Sequence, residues 1–272
     1  MIDLHLHTTA SDGLLDPAAL VARASASGLT TISVTDHDTT AGVSEAAAAA
    51  RDLGLRLIPG AEITAVEEGR DVHLLAYFID TSNPLFGEFL ATQRGDRLNR
   101  LRKIADRLAT LGYAIDVEPL LAAAAGKERS VGRPQIADAL IVAGAAVSRD
   151  DAFHRLLGEG APAFVPRTGP TPESVVAIVR QAGGVVSVAH PGLTKMDRIL
   201  PRLARAGLSS LEVRHSEHDA ETEQRYRQLA AELGLAVSGG SDFHGDVGRR
   251  AGQIGRVTIS DAELAALESR RP

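Results

Sequence analysis

The chain opens on a stretch whose side chains could hold a metal ion. In the sequence MIDLHLHTTASDG, apolar and polar residues alternate, and this period of two is typical of a β-strand. His5 and His7 therefore project from one face of that strand, and Asp12 follows where the chain turns. Two imidazoles and one carboxylate near a common volume predict part of a metal site. The alternative is an amphipathic strand whose histidines hydrogen-bond to the backbone.

Similar side chains recur at or just beyond the ends of later predicted strands. These residues are His37, Glu62, His190, His215, Asp242 and His244. His73 lies near the start of a further predicted strand over 71–79. Because the carboxyl ends of barrel strands meet at one rim, residues far apart in sequence are expected to converge there.

The candidate metal ligands outnumber what one ion needs. A tetrahedral site uses about four ligands, so the set suits two or three ions. Imidazole and carboxylate donors without thiolate favour Mn²⁺, with Fe²⁺ or Zn²⁺ as alternatives, over Mg²⁺ or Ca²⁺. Glu62 could bridge two ions, which suits phosphate-ester hydrolysis by metal-activated water, and Asp12 and His37 are also candidate catalytic residues. The full set is His5, His7, Asp12, His37, Glu62, His73, His190, Asp242 and His244.

The elements that must position these residues alternate between strands and helices over 1–82 and 162–272. This alternation predicts a parallel α/β sheet covered by helices, and seven or eight strands, the last over 256–259, favour a barrel. Between 83 and 161 only helices are predicted, which indicates an inserted helical subdomain. Its long first helix, over 85–111, carries a basic face that we expect to be solvated; the basic residues are Arg94, Arg97, Arg100, Arg102 and Lys103.

Composition limits the classes of function. The chain has 272 residues, enough for one large domain with an insertion, and its net charge of -6 argues against long nucleic acid or an anionic membrane as a partner. The absence of cysteine excludes disulfides and thiolate chemistry. No apolar run approaches the ~18 residues that span a bilayer, and no leader-like segment precedes the first strand. The sequence therefore predicts a cytoplasmic protein acting on a small substrate, and leaves its oligomeric state open.

Four residues are candidates for contact with a phosphorylated substrate. Arg133 in SVGRP and Arg167 in FVPRT lie in turns fixed by glycine or proline, and a guanidinium suits bidentate phosphate binding. His215 and His218 follow another predicted strand and are not needed as metal ligands. Either could contact a phosphate oxygen, and His215 could protonate a leaving group. The alternative for both is an ordinary exposed loop histidine.

In combination, these motifs resemble the polymerase and histidinol phosphatase (PHP) superfamily. They are HxH at 5–7, Asp12, TDHD at 35–38, GAE at 60–62, His73, AHP at 189–191 and SDFH at 241–244. The resemblance implies a distorted (β/α)7 barrel with a trinuclear metal centre. It also implies three ligand sets, namely His5, His7, Glu62 and Asp242; Glu62, His73 and His190; and Asp12, His37 and His244.

Two motifs of the middle region look like one branch of that superfamily, the stand-alone phosphoesterases that act on nucleotides. They are GRP at 132–134 and PAFVP at 162–166. This likeness implies hydrolysis of 3',5'-bisphosphonucleotides such as pAp, of AMP, or of short 5'-phosphorylated RNA. The chain departs from the branch at Gln135, where relatives often have His, and at Arg167, where they often have Lys. Both departures concern substrate contacts.

Two other functions compete with this prediction. A histidinol-phosphate phosphatase would share the barrel and the metals, but the inserted helices argue against it. A non-catalytic accessory module, like the PHP modules of bacterial DNA polymerases, is the alternative from another class. The complete ligand set and the lack of a polymerase-sized remainder argue against that alternative.

Overall fold

A computed structural model describes residues 1–247 and 250–272, and its centre is a seven-stranded sheet curved into a barrel. The strands neighbour one another in chain order: β1 (Ile2–Leu6), β2 (Thr31–Val34), β3 (Arg56–Glu67), β4 (Arg70–Tyr77), β5 (Val185–Val188), β6 (Ser210–His215) and β7 (Ala236–Gly240). The His7 amide, just after β1, donates to the carbonyl of Phe243, just after β7, at 3.0 Å. The barrel is therefore nearly closed, and the predicted α/β barrel is confirmed.

Helices cover the barrel and fill the long middle region. They are α1 (Pro17–Ala26), α2 (Val43–Asp52), α3 (Pro84–Thr110), α4 (Glu118–Ala125), α5 (Arg133–Val142), α6 (Arg149–Ala152), α7 (Pro172–Gln181), α8 (Pro191–Thr194), α9 (Leu200–Ala206), α10 (Ala220–Glu232) and α11 (Asp261–Glu268). A π-helical turn, Phe153–Leu157, continues α6, and a 3₁₀ turn, Asp197–Ile199, precedes α9. None of the helices in the described part of the chain is long and apolar enough to cross a membrane.

One strand runs against the rest, so the prediction of an all-parallel sheet is wrong at that place. β4 pairs antiparallel with both β3 and β5. Glu68 and Gly69, which join β3 to β4, both have positive φ angles, of 50° and 77°, as a tight two-residue hairpin requires. No helix intervenes to return the chain to the other end of the barrel. As a result β4 begins near the rim where the parallel strands of the barrel end, and His73, near its start, lies at that rim.

The prediction of a strand over 256–259 is also wrong. Ile259 alone forms an antiparallel bridge, and its amide donates to the carbonyl of Ile2 at 3.0 Å. β7 already closes the barrel beside β1, so this segment adds one pair of residues rather than a strand. The segment then enters α11 through a capping box at Ser260.

The long helix α3 belongs to two apolar clusters. Phe86 and Leu90, in its first half, pack with the helices and strands of the barrel. Leu101, Ile104 and Leu108, in its second half, pack in a separate cluster with residues of α4, α5 and the π-helical turn. Because α3 contributes residues to both apolar clusters, the boundary between the barrel and a separate helical subdomain is not defined by packing. The helical subdomain at 83–161 therefore stays a prediction.

Candidate metal centre and active site

All nine candidate metal ligands meet at one end of the barrel; we call them the rim cluster. Glu62 of β3 lies at its centre and is buried. Its Oε1 lies 2.8 Å from His73 Nδ1 and 3.1 Å from His190 Nε2. Its Oε2 faces three more imidazole nitrogens, at 3.1 Å from His37, 3.3 Å from His5 and 3.3 Å from His7. One carboxylate thus contacts five imidazoles brought from four different segments.

Two aspartates complete the rim cluster. Asp242 Oδ1 lies 3.2 Å from His7 Nε2 and 3.4 Å from both His5 Nε2 and His244 Nδ1. Asp12 Oδ1 lies 3.3 Å from His244 Nε2 and 3.8 Å from His7 Nδ1. The loops after β1 and β7 are therefore joined through side chains that the sequence separates by more than 200 residues.

Burial and mutual contact set the charge state of the rim cluster. Burial favours a neutral carboxyl at Glu62, but the surrounding imidazoles, led by His37 and His73, hold its pKa well below the usual range. Burial also opposes a charged His7, yet Asp242 and Glu62 raise the pKa of that imidazole to about 10. For His37 burial prevails, and its pKa falls to about 3.

The rim cluster fits a group of divalent metal ions. His7 Nε2, His37 Nδ1 and Asp242 Oδ1 are buried and have no hydrogen-bond partner among the described residues, although buried polar atoms are normally paired. The ligand atoms of three groups converge closely: His7, Asp12, His37 and His244; His5, His7 and Asp242; and His37, Glu62 and His73. Metal coordination would satisfy these atoms, and imidazole with carboxylate is a donor set that Mn²⁺, Fe²⁺ and Zn²⁺ accept.

Sequence reasoning missed Glu212, which holds two members of the rim cluster in place. This buried residue of β6 accepts a hydrogen bond from His5 Nδ1 at 2.8 Å, so His5 Nε2 faces Glu62. Its second oxygen accepts the His190 amide at 2.7 Å, where His190 has a φ of 28°. A carboxylate behind a ligating histidine fixes the ring and its tautomer. The signal in the sequence that could have revealed Glu212 was the presence of an acidic residue within a strand of mostly buried residues.

Arginines form the opposite wall of a cavity of about 360 Å³ whose floor is the rim cluster. Arg97 Nε donates to Asp38 Oδ2 at 2.5 Å, and Arg167 Nη2 donates to the same oxygen at 2.9 Å. The other two guanidinium groups lie near Asp71 Oδ2, at 3.7 Å for Arg133 and 4.0 Å for Arg100. We call this set the arginine wall; its members are Arg97, Arg100, Arg133 and Arg167.

The prediction of a solvated basic face on the long helix is wrong for three of its residues. The Arg94 side chain is 15% exposed and donates to the carbonyl of Asp38 at 3.4 Å. The side chains of Arg97 and Arg100 are each only 11% exposed, because α3 passes the barrel mouth with this face toward the cavity. The pKa of Arg100 is lowered to about 10, mainly because the side chain is buried and secondly because the Arg133 charge lies nearby. Arg102 and Lys103, by contrast, are exposed as expected.

The two arginines selected from sequence both line the cavity. Arg133 donates to the carbonyl of Leu157 at 3.4 Å, and its guanidinium lies 5.6 Å from the ring of Phe153. Arg167 is buried against Asp38. Gln135, where relatives often have His, donates to the carbonyl of Ser11 and accepts the amide of Gly132, so it joins the helical segment to the rim loops.

The two histidines predicted to contact substrate lie outside this cavity. His215 is buried, accepts the Glu217 amide at Nδ1, and has its Nε2 3.2 Å from Asp242. His218 has Nδ1 2.9 Å from the Val213 carbonyl and accepts the Gly192 amide at Nε2. Both nitrogens of each ring are therefore engaged within the protein, which leaves no free ring nitrogen for a substrate.

Arg250 is a further cavity residue that the sequence did not indicate. Its guanidinium lies 2.9 Å from Asp242 Oδ2 and 2.7 Å from Glu217 Oε1. No periodicity or turn motif marks this residue, and only the return of the chain after β7 brings it to the cavity.

Comparison with known proteins agrees with this geometry. The PHP domain family matches residues 3–124. The chain is 36% identical over 251 residues to the 5'-3' exoribonuclease Rnm of Escherichia coli K12, covering 89% of this chain and 84% of that protein. It is 32% identical over 258 residues to the 3',5'-nucleoside bisphosphate phosphatase of Chromobacterium violaceum, covering 92% and 90%.

A solved structure shares the whole fold. A crystal structure from Bifidobacterium adolescentis, provisionally described as a metal-dependent phosphoesterase, superimposes with a TM-score of 0.90 at 37% identity, over 100% of this chain and 96% of that one. The likeness to this structure and to the two enzymes extends over the barrel and the helical segment alike. The chain belongs to the PHP family and is a metal-dependent phosphoesterase.

Proposed function

We propose that the protein hydrolyses phosphate esters of nucleotides that carry a second phosphate, either 3',5'-bisphosphonucleotides such as pAp or short 5'-phosphorylated RNA. The observation that carries this proposal is the arginine wall, which faces the rim cluster across one cavity. One phosphate would lie at the metal ions and the other at the wall.

The charges of the wall support a bound anion. Its four guanidinium groups share two carboxylates, those of Asp38 and Asp71, and all of these groups are at least three-quarters buried. Positive charge that is held away from water and only partly neutralised favours an anionic ligand. A phosphate also matches the planar, bidentate donor pattern of guanidinium groups.

The geometry of the rim cluster supports a proposal for the metal sites. We assign the rim cluster to two or three divalent ions, Mn²⁺ in our proposal, with Glu62 shared between ions. When bound, the ions would supply activation of water and neutralisation of phosphate charge. Asp242 is held by His215 and Arg250, and His5 by Glu212, so these residues would orient ligands; Arg250 also lines the cavity.

The choice of substrate class has support from two directions. The names of the curated relatives include a 5'-3' exoribonuclease and a nucleoside bisphosphate phosphatase, and substrates of both kinds have two phosphates near one sugar. Histidinol phosphate has one phosphate and would leave the wall without a partner. A net charge of -6 does not favour long nucleic acid, which binds through many backbone contacts.

The test compares kcat/KM for pAp, AMP and histidinol phosphate in the presence of Mn²⁺. For Arg133→Ala we expect a loss of about 10- to 100-fold on pAp, because a charge-assisted hydrogen bond contributes about 1.5–3 kcal/mol, and a much smaller loss on AMP. Arg102→Ala is the matched control, since Arg102 is exposed and paired with Glu118. Equal losses on pAp and AMP, or histidinol phosphate as the best substrate, would contradict the proposal.

A further inference from the structure

We propose that Phe153 is the platform on which the nucleobase of the substrate stacks. This inference rests on the proposed function and adds to it the recognition of the base, which neither the metal ions nor the arginine wall provides. It concerns the space between the rim cluster and the helical segment.

The position of Phe153 in the cavity is unusual. Among the described residues it supplies the one phenyl ring in the wall of the 360 Å³ cavity that also contains Glu62 and Arg133; most of the other lining residues are charged side chains or histidines. The same ring lines an adjoining groove of about 600 Å³. A flat apolar surface therefore lies at the junction of the catalytic cavity and its outer groove.

The backbone at this point is shaped to place the ring. Phe153 begins the π-helical turn that follows α6, and its carbonyl accepts the Gly158 amide at 2.7 Å. A Cβ on Gly158 would lie only 2.7 Å from that carbonyl oxygen, so the turn requires glycine there. π-helical turns of this kind occur frequently at functional sites, because the extra residue re-aims a side chain.

The surroundings of the ring favour a base as its partner. The Arg133 guanidinium lies over the ring, 5.6 Å from its centroid, and so ties Phe153 to the wall that we assign to the second phosphate. The chain has only six Phe, three Tyr and no Trp, yet this partly exposed aromatic ring lies among charged groups. Stacking on an aromatic ring accepts any base and strengthens binding by about 5- to 150-fold.

The structural role of Phe153 has to be separated from stacking. The ring also packs against the apolar cluster of the helical segment. Phe153→Leu keeps an apolar side chain of similar size and removes the aromatic face. Phe164→Leu is the matched control, because the Phe164 ring lies 5.7 Å from the same Arg133 guanidinium but lines a neighbouring pocket and not the 360 Å³ cavity.

The first experiment measures kcat/KM of the Mn²⁺-loaded enzyme for pAp and for methyl ribofuranoside 3,5-bisphosphate, which has both phosphates and no base. Phe153→Leu should lose about 5- to 150-fold on pAp and little on the base-free substrate. Phe164→Leu should treat the two substrates alike. Equal losses on both substrates in Phe153→Leu, or no loss on either, would overturn the platform. Wild-type turnover of pAp tests the proposed function separately.

A second experiment does not depend on a loss of packing. Phe153→Trp places the sole tryptophan of the chain at this site, so its fluorescence can be followed during turnover. On rapid mixing with pAp we expect a drop in emission, and no such drop with the base-free bisphosphate. Turnover of pAp without a drop in emission, or equal drops with both substrates, would overturn the inference.

Discussion

The rim cluster and the arginine wall face one cavity, but they are built from different parts of the chain. The rim cluster comes from the ends of barrel strands and combines imidazoles with carboxylates. The arginine wall comes from α3, from the start of α5 and from the loop before α7. If the rim cluster supplies the hydrolytic chemistry and the arginine wall supplies the choice of substrate, as we propose, substitutions in the two regions should have different effects.

The largest expected effect comes from Glu62→Ala. Because five imidazoles contact this carboxylate, the variant should lose more metal than His5→Ala, and its kcat should fall on the order of 10³-fold or more. Elemental analysis of the purified proteins measures the metal. Arg133→Ala, on the other side of the cavity, should keep its full metal content.

Glu68→Ala is the matched control for this variant, since Glu68 is exposed at the tip of the β3–β4 hairpin and pairs with Arg198. Undiminished metal in Glu62→Ala would end its assignment as a shared ligand. Metal loss in Arg133→Ala would show that the two regions are not independent.

A smaller effect is expected at Glu212, behind the rim cluster. Glu212→Ala removes the acceptor of both His5 and His190 and should weaken metal binding about 10- to 100-fold. Glu212→Gln keeps an oxygen acceptor and should recover most of the affinity. Calorimetric titration of the apo-proteins with Mn²⁺ gives both numbers. Equal affinities for wild type and Glu212→Ala would remove Glu212 from the support of the metal centre.

The smallest effect on activity is expected at His218. His218→Ala should leave kcat/KM within about twofold, because the residue lies outside the cavity. Loss of its two internal hydrogen bonds should lower Tm by roughly 2–8 °C. His154→Ala, at an exposed position, is the control for thermal scans. A tenfold fall in kcat at unchanged Tm would restore the substrate contact that the sequence suggested for His218.

The sequence predicted the barrel and the convergence of the rim residues because most of them lie in short motifs beside predicted strand ends; His73, near the start of β4, is an exception. It did not predict the arginine wall in full, since a charged helix face has the same periodicity whether water or a cavity lies beside it. Arg97 and Arg100 differ from Arg102 only in rotation about α3. The reversal of β4 could have been predicted, because a two-residue turn such as Glu68–Gly69 joins antiparallel strands, whereas parallel neighbours need a longer crossover.

The reversal of β4 also determines the distance that α3 has to span between the foot of the barrel and its rim. Tyr77, the last residue of β4, pairs with Val185 at the beginning of β5, so the chain leaves this strand at the foot of the barrel. From Pro84 to Arg97, α3 rises about 20 Å before it meets Asp38 at the rim.

The number of residues in α3 before Arg97 therefore sets the position of the guanidinium groups relative to the cavity. Deleting one residue before Arg97 would turn the following side chains by about 100° and draw them back by about 1.5 Å. The guanidinium groups would leave the cavity without any change of residue type. Helix length and register, and not composition alone, therefore decide how far the arginine wall lies from the rim cluster.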